Sequence, residues 1–316
     1  MFSIVKAELY KISKKKSFKT LIICLTILII GNGIYKYFQE SQNTKGWRND
    51  LIEQNRLNEK ELEKAKGNSQ YPDSFVASVE KEIKKNDYLL SHNISPNNAT
   101  SWEFVSFSST FTMFILIFIL VLSSESISKE RSLGTLGLLF IRPYKRQRIY
   151  IGKLISIMLV GFLLVLYLFL LSLTIGMILF GIKGSGDMKM VEFADNITMV
   201  PIYKMILVKY ISYCFTMCIF SIFAFSISIL IHSNVFSIIL SISLLLGGTT
   251  LTALVRGYSW SKYLYFTNMD LSIYLGDFSA SINGATIEFT VLKYCLYSLL
   301  FILMSLIIFV KRDLKN

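Results

Sequence analysis

Six stretches of this chain are long enough and apolar enough to cross a bilayer as helices, and no other feature narrows its fold so far. They run from Leu21 to Tyr37, Phe104 to Leu122, Ile155 to Phe180, Met205 to Ile231, Val235 to Val255 and Val291 to Val310. A hydrocarbon core about 30 Å thick needs roughly 20 apolar residues per helix, because each backbone polar group inside lipid must be paired within its own segment. The fourth and fifth runs are separated only by His232, Ser233 and Asn234. Joined, they would be about twice as long as one crossing, so the spacing predicts a tight helical hairpin. With 53% hydrophobic residues and 24 Phe, one soluble core cannot hide the apolar surface. The expected class is an all-α integral membrane protein of six transmembrane helices.

The formal net charge of +12 is a matter of topology rather than of nucleic-acid binding. From Met1 to Lys19 there are six Lys against one Glu, from Ser123 to Lys153 seven Lys/Arg against two Glu, and after Val310 three against one. The segment from Gln39 to Glu103 has nine Lys/Arg against eleven Asp/Glu. By the positive-inside rule, the first three segments face the cytoplasm and the fourth lies outside, with both termini cytoplasmic in a bacterial cytoplasmic membrane. Within 39–103, apolar residues at helical spacing over Trp47 to Lys66 and Asp73 to Leu90, with a turn at Gly67 to Pro72, predict an extracellular helical hairpin. It is an insert within a single domain spanning 1–316.

Phe2, Val5, Leu9 and Ile12 recur at spacings of three and four, which predicts an N-terminal amphipathic helix lying in the cytoplasmic interface. A cleaved signal peptide fits less well: the following apolar stretch is too long, and no small-residue cleavage site follows it. Cys24, Cys214, Cys218 and Cys295 all fall in apolar runs, as packing residues do. A P-loop is absent from the sequence, so ATP and Mg would belong to another subunit. His92 and His232 lie on opposite sides of the predicted membrane, and no metal site is expected. No carboxylate falls within the six runs, which argues against ion-coupled transport; Glu125 is the nearest, at the cytoplasmic end of the second. Lys36, Lys209 and Lys293 are placed near outer ends, where they can snorkel.

The segment from Glu125 to Lys153 is the most informative. Glu130 and Arg131 precede Gly134 and Thr135, read as the start of a short amphipathic helix with Leu136, Leu139 and Phe140 on its apolar edge, stopped at Pro143 and followed by basic residues including Arg146. Glu130, Gly134, Thr135, Leu136, Leu139, Pro143, Arg146 and Lys153 together resemble the coupling segment of permease subunits from type 2 ABC exporters. The large outer insert, ending in Tyr88 to Ser95, looks like the Gram-positive branch of bacitracin- and lantibiotic-resistance permeases. The resemblance implies a permease of two chains, identical or homologous, docked through Glu130 to Phe140, Pro143 and Arg146 onto two copies of an ABC ATPase subunit, with no catalysis in this chain. Glu125, Ser237 and Ser241 are the gating or interface candidates, although small polar residues within spans equally serve packing. The competing expectation is a non-transporting sensor or scaffold that binds a peptide outside and a partner inside.

Overall fold

The computed structural model describes residues 1–43, 46–66, 73–91, 100–135, 144–181, 188–193, 196–231, 233–255, 258–267, 271 and 285–311. Ten helices and one strand pair are described: α1 (Phe2–Lys14), α2 (Lys16–Asn43), α3 (Trp47–Lys66), α4 (Asp73–Ser91), α5 (Ser101–Ser108), α6 (Thr112–Ser132), α7 (Arg146–Phe180), β1 (Met188–Phe193), β2 (Asn196–Pro201), α8 (Ile202–Leu230), α9 (Asn234–Val255) and α10 (Ile287–Lys311). Five helical stretches are long and apolar enough to cross a membrane: Lys16–Gln39, Ser101–Ser132, Arg146–Phe180, Ile202–Leu230 and Ile287–Lys311. In α9 the shorter apolar stretch Asn234–Gly248 stands beside them.

Helix α8 is apolar on every side and sits at the centre, as such a helix must if its surface is to be buried. It packs on α6, α7, α9 and α10. Where α7 meets α8, the Met217 thioether fills the space over Gly161 that a Cβ would take, so a larger residue there would have to displace that side chain. Tyr150 of α7 meets Phe225 edge-on at 5.1 Å and places its hydroxyl 2.8 Å from Ser305 of α10. Cys214 and Cys218 are half-buried against this core.

The helical hairpin expected from periodicity is present as α3 packed on α4. Leu51, Ala65 and Val79 are buried, and Asn55 Nδ2 donates to Asp87 Oδ1 at 2.7 Å.

The helices bear out the all-α class, with one short antiparallel pair, β1–β2, added between α7 and α8 and registered from Met188↔Pro201 to Phe193↔Asn196. The structure corrects the sequence reading in three places. The second apolar run begins earlier than expected, at a Thr100-x-x-Glu103 cap in which the Glu103 amide donates to Thr100 Oγ1 (3.2 Å), and it is not one helix. A 3-10 turn over Ser109–Phe111 separates α5 from α6, because Ser109 and Thr112 hydroxyls donate back to the carbonyls of Ser106 and Ser109 (2.6 Å each) and bend the backbone. In α1 the apolar residues Val5 and Ile12 are buried against protein, while Phe2 is 83% exposed. Lys293 does not snorkel: it is 6% exposed, and its ammonium donates to the carbonyls of Lys262 (3.2 Å), Leu264 (3.1 Å) and Thr267 (2.8 Å) and to Thr267 Oγ1 (3.1 Å).

Candidate functional site: an ion cluster at the basic end

The charged residues around the second apolar run converge at one end of the bundle. Helix α6 continues past its apolar part into Glu125, Lys129, Glu130 and Arg131 without a break. Helix α1 is turned back onto α7 by the extended backbone of Lys15 (φ −64°, ψ 134°). Lys153, 2% exposed in the second turn of α7, donates to Glu8 of α1 (2.9 Å), Glu130 of α6 (2.8 Å) and the Ser126 carbonyl (3.4 Å). Lys11 reaches the same Glu130 oxygen at 2.6 Å, and Lys15 reaches Glu125 at 3.0 Å, with Lys129 at 3.5 Å. Three helices distant in sequence are thus joined by alternating charges. A buried ammonium without its carboxylates would be strongly unfavourable, so the cluster holds only while all three helices are docked.

Around this cluster lies a polar seam. The Arg131 guanidinium donates to the carbonyls of Ile229 (3.2 Å) and Ile231 (3.3 Å), covering acceptors that the end of α8 leaves unpaired. Ser124 Oγ donates to Ser241 Oγ of α9 (3.0 Å), and Ser128 Oγ to Asn234 Oδ1 (3.0 Å). The Ile127 and Ser128 amides reach Ser228 Oγ of α8 at 3.2 and 3.3 Å.

The sequence-predicted site residues therefore divide. Glu125 and Glu130 are brought together with α1, and Glu130 is 9% exposed rather than presented on an open docking edge. Gly134 and Thr135 close the end of α6, and the short helix expected to follow them lies outside the described residues. The Gly134 amide donates to Arg131 O (3.0 Å) and the Thr135 amide to Glu130 O (2.9 Å), with Gly134 at φ +70°, a left-handed conformation that glycine adopts without strain. Leu136, Leu139, Phe140 and Pro143 lie outside the described residues. Arg146 ties the start of α7 to the end of α10 by donating to the Val310 carbonyl (3.0 Å). Ser237 and Ser241 are fully buried on the α9 face turned to α6, so this face is occupied inside the chain. Among the described residues, no group of three His, Cys, Asp or Glu is placed to hold a metal ion.

Sequence reasoning passed over Glu8, and it did not pair Lys11 and Lys153 with Glu130 or Lys15 with Glu125. One signal was available: Glu8 is the lone acid among six Lys, and it falls between Val5 and Leu9 on the apolar face of α1. A charge on an otherwise apolar face asks for a partner on whatever that face covers.

Residues 74–315 match the model of a family described as "Protein of unknown function (DUF2705)". The chain belongs to this family. It is 29% identical over 321 residues to the Bacillus subtilis (strain 168) "Uncharacterized protein YhcI", with all of both chains covered. It is 24% identical over 214 residues to the "Uncharacterized membrane protein YdbK" of the same organism, covering 67% of this chain and 82% of that one. With its five apolar helices and a relative named as a membrane protein, the DUF2705 chain is a multi-pass membrane protein.

Proposed function

We propose that this chain is the membrane-spanning permease subunit of an ATP-driven exporter, with α9 as a sixth span and both termini in the cytoplasm. The observation that carries the reading is the construction of the basic end. Helix α6 leaves the bundle as a continuous rod, is clamped to α1 and α7 by the Glu130–Lys153–Glu8–Lys11 cluster, and is capped at Gly134 immediately before the segment that resembles a coupling helix. A push on residues 136–143 would therefore reach α6, α7 and α8 through ion pairs and the Arg131 contacts instead of being lost in a loose linker. In this reading two chains assemble with two ATPase subunits that carry ATP and Mg, and the cargo is amphiphilic: a peptide, lipid or drug moved outward. Work on the cargo requires that the two states of the dimer differ in their contacts with the ATPases, since equal docking in both shifts nothing.

The test is isolation of the chain from native membranes in mild detergent, with identification of its companions and assay of ATP hydrolysis. A stoichiometric P-loop ATPase is the expected companion, and Gly134→Pro or Leu136→Asp is expected to abolish transport while leaving insertion intact. Recovery of the chain with a kinase and no ATPase would replace this reading with the sensor. That alternative draws on one feature, the exposed Ile52 and Leu57 of α3 (54% and 56%), which offer apolar contacts to a peptide.

A further inference from the structure

We propose that the exposed face of α1 is a binding surface for anionic phospholipid headgroups. Phe2, Lys6, Tyr10 and Lys14 are spaced four apart and form one stripe along the helix. All four are exposed, Phe2 by 83% and Tyr10 by 65%, and Lys14 Nζ lies 5.3 Å from the centre of the Tyr10 ring. The opposite face is already used: Val5 and Ile12 are buried, and Glu8 and Lys15 serve the ion cluster. Helix α1 therefore cannot present an apolar face to lipid. What it presents is aromatic rings alternating with ammonium groups.

Two further observations point to phosphate-bearing lipid as the occupant. The first is the sorting of charge. Glu8, Glu125 and Glu130 are each turned into ion pairs, whereas Lys6, Lys14, Lys16, Lys19, Lys145 and Arg148 are exposed. The described surface of this end is cationic because its acids are consumed inside. The second is level. Helix α7 has 35 residues and so spans about 52 Å, longer than the roughly 40–45 Å of a bilayer with its headgroups. Ile4 packs against Gly152 in its second turn, which sets α1 beside the end of that rod, at headgroup depth. Aromatic rings favour this layer, and lysines there contact anionic headgroups. The inference needs the spanning reading only and holds whether or not the chain transports anything.

The test uses the full-length protein in neutral detergent, titrated with phosphatidylglycerol or phosphatidylcholine and read by native mass spectrometry. Phosphatidylglycerol is expected to be retained at least tenfold more tightly, with retention falling as salt is raised. A Lys6→Gln/Lys14→Gln variant should lose that preference, at about fivefold per lysine, while a Lys60→Gln/Lys64→Gln variant on α3 keeps it. Equal retention of the two lipids, or an undiminished preference in Lys6→Gln/Lys14→Gln, overturns the proposal. So does a Lys6→Gln/Lys14→Gln protein that keeps its lipid and loses a co-purifying ATPase, since the stripe is then a protein interface.

Discussion

Two lysines lie buried in this bundle, near opposite ends, and they are held in different ways. Lys153 meets two carboxylates, Glu8 and Glu130, from two other helices. Among the described residues, Lys293 meets neutral groups, three carbonyls and one hydroxyl from the short stretch 262–267 and the Tyr294 ring at 4.6 Å, with the Tyr294 hydroxyl also donating to Thr267 O. The difference follows from what each end has to join. At the basic end, three helices have satisfied backbones and little to offer one another except side chains, so docking is specified by charge pairs. At the other end, the chain runs through a 3-10 turn (Ser259–Tyr263) and leaves regular structure, so its carbonyls lack ladder partners. Buried carbonyls outside a ladder need other donors, and one ammonium gathers three of them, beside the Tyr294 hydroxyl on Thr267 O and the Thr267 hydroxyl on Leu264 O.

The comparison can be broken most sharply at Lys153. Lys153→Met should leave Glu8 without its ion partner and Glu130 with Lys11 alone, and lower stability by about 3–5 kcal/mol, read as a thermal shift in detergent. Adding Glu8→Gln and Glu130→Gln should recover most of the loss, because the cost lies in the unpaired acids. Lys293→Met should cost less, about 2–3 kcal/mol for its charge-assisted hydrogen bonds, and Glu288→Gln should give no recovery. If removing an acid rescues Lys293→Met, the two ends are not different in kind. Hydrogen exchange should localise the first loss to α1 and the second to residues 258–267.

A smaller effect tests whether the clamp also fixes where α6 stops. Gly134→Ala, which places a Cβ at φ +70°, should cost about 1 kcal/mol and leave the Glu130 pairs intact; in the proposed permease, ATPase docking would then fall more than stability. Lys66 supplies the exposed limit of the comparison. Its ammonium, 2.6 Å from Glu80 across the α3–α4 hairpin, holds that carboxyl below its ordinary range, chiefly through the hydrogen bond and then through charge attraction. Because the folded value is the lower one, this contribution is present above the ordinary carboxylate range and is lost as pH falls through the folded value. Glu80→Gln should flatten the acid side of the hairpin's stability profile slightly and change little at neutral pH.

These contrasts also explain what could be read in advance. The α3 and α4 boundaries followed from apolar spacing and from the turn residues between them, because a two-helix hairpin is a local object. The burial of Lys153 did not, since Glu8 stands 145 residues away and spacing carries no information about such a pairing. Gly134 was noticed as the residue before a helix, but its part in closing α6 was not: glycine punctuates a helix end as readily as it precedes a helix start, and the backward hydrogen bonds of Gly134 and Thr135 reveal the first role. The break at Ser109–Phe111 was visible as a run of hydroxyl residues, but those residues also suit packing or a substrate path. Lys293 was sorted by its position near a span end, whereas the carbonyls around it decided its fate.

The Arg131 contacts have a mechanical consequence. By gripping the last carbonyls of α8 just before α9 begins, and with the serine contacts alongside, this side chain makes the basic ends of α6, α8 and α9 a single rigid block. Such a block cannot flex where it would be driven. Any change of shape in the described bundle has to be taken up elsewhere along these helices. The 3-10 turn at Ser109–Phe111, near the far end of the same span from Arg131, is the natural place.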